Sequence, residues 1–220
     1  MKEWVSWEKR WRTVLKAIEE LDGDVEPLEI LERATNEQIV TVEQKLGMEL
    51  PECLKTVLMN FSARVNFTWY LPDDFELPMG MEGISSGTCS WDIDKLVEIE
   101  EDRKSWIENC FSNEKDPYDQ VWHNKLAFME VANGDLIAFD LKDYPKKAPV
   151  VYLSHDDGEG HGCILGNDFI DFIDKWTLLG CVGPEDWQMT PFIDSPETGL
   201  DPDGQNARVW REILGVRFER

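Results

Sequence analysis

Two largely apolar runs, Leu126-Ala127-Phe128-Met129-Glu130-Val131 and Leu136-Ile137-Ala138-Phe139-Asp140-Leu141, flank the pair Asn133-Gly134. A chain with this arrangement has little choice but to build a β-hairpin. Asn-Gly is the preferred pair for a two-residue turn, because both of its central positions need positive φ. A third strand, Val150-Val151-Tyr152-Leu153, and a fourth around Cys163-Ile164-Leu165 follow. No connection among the four is long enough for a parallel crossover helix, so the expected product is an antiparallel or mixed β-sheet. The intervening Ser154-His155-Asp156-Asp157-Gly158-Glu159-Gly160-His161 reads as a solvated polar turn.

Helical periodicity surrounds this sheet. Trp4, Trp7, Trp11, Val14, Leu15, Ile18 and Leu21 recur at three- and four-residue steps, which predicts an amphipathic N-terminal helix over 3–21, its Trp stripe packed inward. Thr35-Asn36-Glu37-Gln38 has the form of a capping box, Ala34 and Ile39 are spaced to staple the helix entry, and Gly47 supplies the stop. Leu50-Pro51 opens a further helix whose apolar stripe is Leu54, Val57, Leu58 and Phe61. Residues 62–90 read as short strands and loops, with Phe67-Thr68-Trp69-Tyr70 the best strand. A helix over 92–108 carries an acidic face of Asp92, Asp94, Glu98, Glu100, Glu101 and Asp102, and a helix over 167–178 starts at Asn167 as N-cap. Helices segregated from a sheet make the fold class α+β.

The organisation expected is a single domain over 1–183, with a common core at about 34–180 and an N-terminal helical extension at 1–25. Residues 184–220 form an acidic, Pro-rich extension. Its stretch 184–204 holds no Lys or Arg, and its short helix, with Val209, Trp210, Ile213 and Leu214, wraps back onto the body.

Charge narrows the partners. The 220 residues carry 45 Asp and Glu against 22 Lys and Arg, a formal net charge of −23, which argues against direct nucleic-acid binding and against anionic membrane surfaces. The two helices at 35–61 resemble a helix-turn-helix, but residues 51–61 hold one base, Lys55, too little to read DNA. The charged opening lacks a signal-peptide profile and no segment approaches a membrane span. The five cysteines make no CxxC and read as reduced thiols of a cytoplasmic protein.

The polar turn packs two His and three carboxylates into eight residues. Ser154, His155 and Asp156 are consecutive, and neighbours on a strand point to opposite faces, so a nucleophile–base–acid triad is not expected. His155, Asp157 and His161 would be the ligands of a metal-dependent enzyme, but they match no established metal motif. No phosphate-cradling glycine motif occurs either. No cofactor, metal or catalytic residue is therefore assigned, and the expectation is a protein without enzymatic activity.

The ordered pieces resemble a known family. Ala34-Thr35 to Gly47, then Met48-Glu49-Leu50-Pro51 to Asn60-Phe61, is similar to the opening of the SUKH superfamily, which includes the fungal Smi/Knr glucan-synthesis regulators. Asn133-Gly134-Asp135 through Asp140 resembles its hairpin, and Pro149 to His155 with Leu165 to Ile173 resembles its closing strand and helix. The resemblance covers about residues 34–180. It implies an α+β sheet flanked by helices, usually no enzymatic activity, and a protein partner. In bacterial members that partner is chiefly a toxin domain, often a nuclease, which they neutralise as immunity proteins; fungal members are regulators and scaffolds of cell-wall synthesis. Joined to the charge, the resemblance gives the expectation of an acidic surface that binds a basic partner, most simply a cognate nuclease toxin domain. The candidate contacts are Trp91 as an aromatic anchor, Asp92, Asp94, Glu98, Glu101 and Asp102 on the helix, and Asp156, Asp157 and Glu159 in the turn. The alternative is a regulatory scaffold of the Smi/Knr type, holding its host partner through apolar grooves.

Overall fold

Burial follows the periodicities closely. In the computed structural model, which describes residues 3–218, helix α1 (Glu3–Glu20) buries Trp4, Trp7, Trp11, Val14, Leu15 and Ile18 on one face. The Trp11 ring lies 6.1, 5.8 and 6.0 Å from those of Phe61, Phe67 and Trp91. Helix α2 (Asn36–Leu46) starts on the expected capping box: the Gln38 amide donates to Thr35 Oγ1 at 3.2 Å, and the Thr35 amide donates to Gln38 Oε1 at 2.9 Å. Gly47 ends it in the left-handed conformation at φ 73°. Helix α3 (Glu52–Asn60) takes Pro51 as its N-cap rather than as its first helical residue.

Residues 62–92 hold more regular structure than their composition suggests. Strand β3 (Arg64–Tyr70) pairs antiparallel along its whole length with β4 (Ser86–Asp92). On its other side it carries two short pieces, β1 (Asp24–Val25) and β2 (Glu29–Ile30). Pro27 lies between those pieces, and a proline has no amide to give to a ladder. Gly87 explains why β4 is hard to read as a strand. A side chain there would meet the Trp69 indole at 2.3 Å, and that indole reaches past it to donate to the Gly180 carbonyl at 2.8 Å.

The second sheet is the expected antiparallel one, in the order β5 (Lys125–Glu130), β6 (Leu136–Asp140), β7 (Val150–Leu153), β8 (Ile164–Gly166). Its first turn differs from the two-residue form expected. Glu130 pairs with Leu136, the Val131 amide donates to Asp135 O, and the Gly134 amide donates to Val131 O. Only Gly134 takes positive φ, 99°, so this is a three-residue loop with glycine at the left-handed position. The Asn133 side chain spans the turn, receiving the Asp135 amide at 3.0 Å and donating to Asp135 Oδ2 at 2.8 Å.

Helices cover both faces of this second sheet. Helix α6 (Phe169–Thr177) packs Phe169 and Phe172 with Phe128 and Phe139 on one face. On the other, α4 (Leu96–Asn109) and α5 (Pro117–Trp122) enclose Ile99, Trp122, Ala127, Ala138 and Val151. The N-cap of α6 is Asp168, whose Oδ1 receives the Asp171 amide at 2.9 Å, rather than Asn167. After α7 (Asp186–Met189), the tail returns through α8 (Gln205–Ile213) as expected. There Trp210 is fully buried, donates to the Leu179 carbonyl at 2.9 Å and stacks on Trp69. The fold is α+β. One face of the first sheet is covered by α1, with Trp210 of α8 on Trp69 and Phe169 of α6 against Trp91; the residues of its other face are mostly half-buried and border hollows among the described residues.

Candidate functional site

The predicted contacts do not form one face. Trp91 is 2% exposed, sits in β4 and donates from its indole nitrogen to the Ser62 carbonyl at 3.2 Å. It is a core residue and not a surface anchor, because alternation along β4 turns it toward α1. Asp92 ends that strand instead of starting a helix. It is half-buried, its Oδ1 receives the Asp94 amide at 2.9 Å, and Arg64 Nε lies 3.7 Å from its Oδ2. The helix itself begins at Leu96, and Asp94, Glu98, Glu101 and Asp102 are exposed on or before its first turns. Glu100, counted with that face from sequence, points the other way. It is buried in a two-pronged pair with Arg103 at 2.7 and 2.8 Å, and it accepts the Ala127 amide at 3.1 Å, closing the free edge of β5.

Asp156, Asp157 and Glu159 are exposed, but the loop carrying them is anchored rather than a loose turn. Asp186, buried at the start of α7, receives the Gly160 amide on Oδ2 at 2.8 Å, and its own amide donates to the Tyr152 hydroxyl at 3.1 Å. At Gly158 a Cβ would lie 2.4 Å from Asp186 Oδ2. On the other side, His161 stacks on Tyr118 at 3.8 Å between centroids.

The hub of this region is Asp135, a residue absent from the predicted set. It is 1% exposed. Its Oδ2 accepts from the Tyr152 hydroxyl at 2.7 Å and from Asn133, and its Oδ1 accepts from the His155 amide at 2.8 Å and the His155 ring Nδ1 at 2.6 Å. Burial pushes this carboxyl up, but the four donors together hold it below the usual carboxylate range. The same carboxylate, with burial first, raises the Tyr152 hydroxyl well above its ordinary value. Only the Gly-Asp step at the hairpin tip signals this hub in the sequence.

The chemistry open to the region is limited by these bonds. The Ser154 hydroxyl donates to Asp156 Oδ1 at 2.9 Å and receives the Gly158 amide, so Ser154, His155 and Asp156 do not form a relay. His161 cannot act as a ligand beside His155. Its Nδ1 accepts the Ser154 amide at 3.0 Å, its Nε2 faces the Tyr118 carbonyl at 3.0 Å, and burial lowers its pKa. The set His155, Asp157 and His161 is therefore not assembled. Asp135, His155 and Asp156 bring one ligand atom each within 4.8 Å of one another, but both oxygens of Asp135 are already taken by donors from the fold.

The most developed hollow lies on the open face of the first sheet. Thr68, Tyr70, Ser86 and Thr88 form its floor, with the two threonine hydroxyls 2.6 Å apart; the β5–β6 turn and Gly183-Pro184-Glu185 form its walls. Its volume is about 750 Å³. A second hollow of about 270 Å³ continues along Asn66, Ser90 and Asp92, and a third of about 320 Å³ lies behind the hairpin tip between Asp102, Trp106 and Asp135. Glu130 borders all three. Partial burial raises its carboxyl, and Asp102 and Glu98 raise it further, against the lowering effect of Lys95. Glu185, on the opposite wall, is raised by burial, against the lowering effect of the hydrogen bond it accepts from Gln188 at 3.0 Å, and further by Asp135 and Asp186. The cleft is thus lined by carboxylates that gain from a nearby cation.

A family model described as the SMI1 / KNR4 family (SUKH-1) matches residues 33–175, which is more than half of the chain. No curated protein and no solved structure matches the chain significantly. Among the described residues no helix is long and apolar enough to cross a membrane.

Proposed function

The chain belongs to the SMI1/KNR4 (SUKH-1) family, and from that premise we propose that it is a cytoplasmic, non-enzymatic immunity protein that binds and neutralises a cognate toxin domain through an acidic surface. The toxin inferred is a nuclease, since a nuclease needs a basic surface to hold nucleic acid, and an acidic protein can occupy that surface with a steered, fast association. The observation that carries the reading is the net charge of −23 in a member of this family. Asp94, Glu98, Glu101, Asp102, Asp156, Asp157 and Glu159 are the exposed acids offered to the partner, with Asp92 partly neutralised by Arg64 and Trp91 withdrawn into the core.

A toxin gene beside the protein's own is expected, and co-expression with the toxin domain it encodes tests the proposal directly. Growth is expected to be rescued, and persistent killing in the presence of soluble protein would sink it. The salt dependence of the association rate then separates this reading from a Smi/Knr-type scaffold that grips an apolar groove. A steep fall between low and physiological salt is expected for the toxin complex, and a salt-independent rate for the scaffold.

A further inference from the structure

The open face of the first sheet is a polar ladder, met at one end by Gln188 of α7, whose Oε1 accepts from the Ser86 amide at 3.3 Å, and bordered elsewhere by hollows. Arg64, Asn66, Thr68 and Tyr70 on β3 lie opposite Asp92, Ser90, Thr88 and Ser86 on β4, all half-buried except Tyr70, which is 47% exposed. Seven paired residues at the rise of a β-strand make a floor roughly 24 Å long, and the hollows of about 750 and 270 Å³ run along it. Arg64 and Lys95 line the smaller hollow, and both are engaged by acids. Arg64 holds Glu29 at 3.1 Å and faces Asp92, and Lys95 holds Glu98 at 2.7 Å. The walls contribute Glu130 and Glu185.

We infer that this cleft is where the partner docks, and that its occupant is a basic protein segment laid along the β3–β4 ladder with a Lys or Arg side chain seated at Glu130. The inference rests on the toxin-binding reading and moves its centre from the rim of α4 and the 156–159 loop to the sheet face. Three observations favour this occupant. The floor has the length of an extended segment, which suits a peptide chain better than a single ion. Tyr70 offers an exposed aromatic of the kind that anchors protein interfaces. Charge complementarity selects a cation in the larger hollow, whose charged lining groups are Glu130 and Glu185, while Arg64 and Lys95 in the smaller hollow are paired with Glu29, Asp92 and Glu98. A nucleic acid strand would meet those same carboxylates as repulsion.

Calorimetric titration of the full chain with the peptide Gly-Arg-Gly-Arg-Gly-Arg, blocked at both ends, tests the docking. Thr88→Tyr fills the cleft floor without changing the charge and is expected to weaken binding about tenfold or more; Thr68→Tyr serves if Thr88→Tyr melts early. Glu130→Gln is expected to weaken it by a similar factor, whereas Glu19→Gln and Glu212→Gln, exposed acids outside every contact surface named above, stay within about twofold of the parent. Equal binding by the parent and both floor variants would overturn the inference, as would loss at Glu19→Gln or Glu212→Gln matching that at Glu130→Gln. Spermidine that binds as tightly as the peptide and is blocked by Thr88→Tyr would overturn the protein-segment assignment. The co-expression assay keeps the two readings apart. Rescue retained by Thr88→Tyr with a neighbouring toxin leaves the immunity role standing and removes the cleft, and peptide docking without any rescue removes the immunity role.

Discussion

The two sheets are built on opposite plans. In the second, β5, β6 and β7 are buried residue after residue, because α6 lies on one face and α4 with α5 on the other. In the first, β3 and β4 alternate buried and half-buried along their length, because α1, α6 and α8 pack on one face and the other borders hollows among the described residues. The chain therefore places its packing energy in one sheet and leaves the other with a surface to offer. That division predicts that substitutions in the second sheet act on stability, while those on the open face of the first act on binding.

The largest expected effect is in the doubly covered sheet. Phe139 is fully buried and its ring lies 4.8 Å from Phe128 and 6.0 Å from Phe169. Phe139→Ala should cost about 3–5 kcal/mol, against roughly 0.5 kcal/mol for Thr88→Ala on the open face. Urea unfolding of the two variants, with midpoints compared at unchanged slope, checks the contrast. Similar losses at the two sites would break it.

The same asymmetry decided what could be read from the sequence. Strands β5, β6 and β7 are continuous apolar runs, and they, with the shorter β8 and the helices that cap or stripe cleanly, are legible from residue type alone. Strand β4 is not. Its sequence Ser-Gly-Thr-Cys-Ser-Trp-Asp shows small polar residues where the open face needs no apolar cover, and a glycine where Trp69 needs the space. The acids of the exposed rim were legible as a charge run, but neither the burial of Glu100 beneath β5, where it accepts the Ala127 amide, nor that of Trp91 against α1 could be, since each depends on an element far off in sequence. Asp186 is the extreme case. It lies in a baseless tail, and only the fold brings it under the 154–161 loop.

Next in size is the hub where the two plans meet. Asp135→Ala strands the Tyr152 hydroxyl and the His155 donors in a buried site and should cost about 3 kcal/mol. Because the folded carboxyl is held below its unfolded value, its contribution is fully present above roughly pH 4 and is lost as pH falls through the lower folded value. Asp135→Asn keeps the shape, and its deficit relative to the parent should shrink as the medium is acidified from pH 7 to pH 3. A deficit independent of pH would show that the carboxylate charge is not what holds the hub. Gly158→Ala is expected to be milder, about 1–3 kcal/mol, since the added carbon meets Asp186 Oδ2 at 2.4 Å and Ser154 Oγ at 2.7 Å. Its signature is faster amide exchange at residues 154–161 with the second sheet unaffected.

The smallest effect has the opposite sign and bears most directly on the division of labour. Glu130 borders the cleft at the end of β5, and its folded carboxyl is raised by partial burial and by its neighbours Asp102 and Glu98. A carboxyl raised on folding costs stability at pH values above its folded pKa, and the cost is relieved as pH falls through that value. Glu130→Gln should therefore stabilise the protein slightly at pH 7, by a few tenths of a kcal/mol once solvent screening of this exposed group is allowed for, with the gain fading toward pH 4. Asp135 and Glu130, at opposite ends of one hairpin turn, thus respond to acid in opposite directions. A residue whose removal stabilises the fold while weakening the basic peptide is one kept for contact and not for packing. If Glu130→Gln instead destabilises at pH 7 as Asp135→Asn does, Glu130 belongs to the packed plan and the open face loses its central acid.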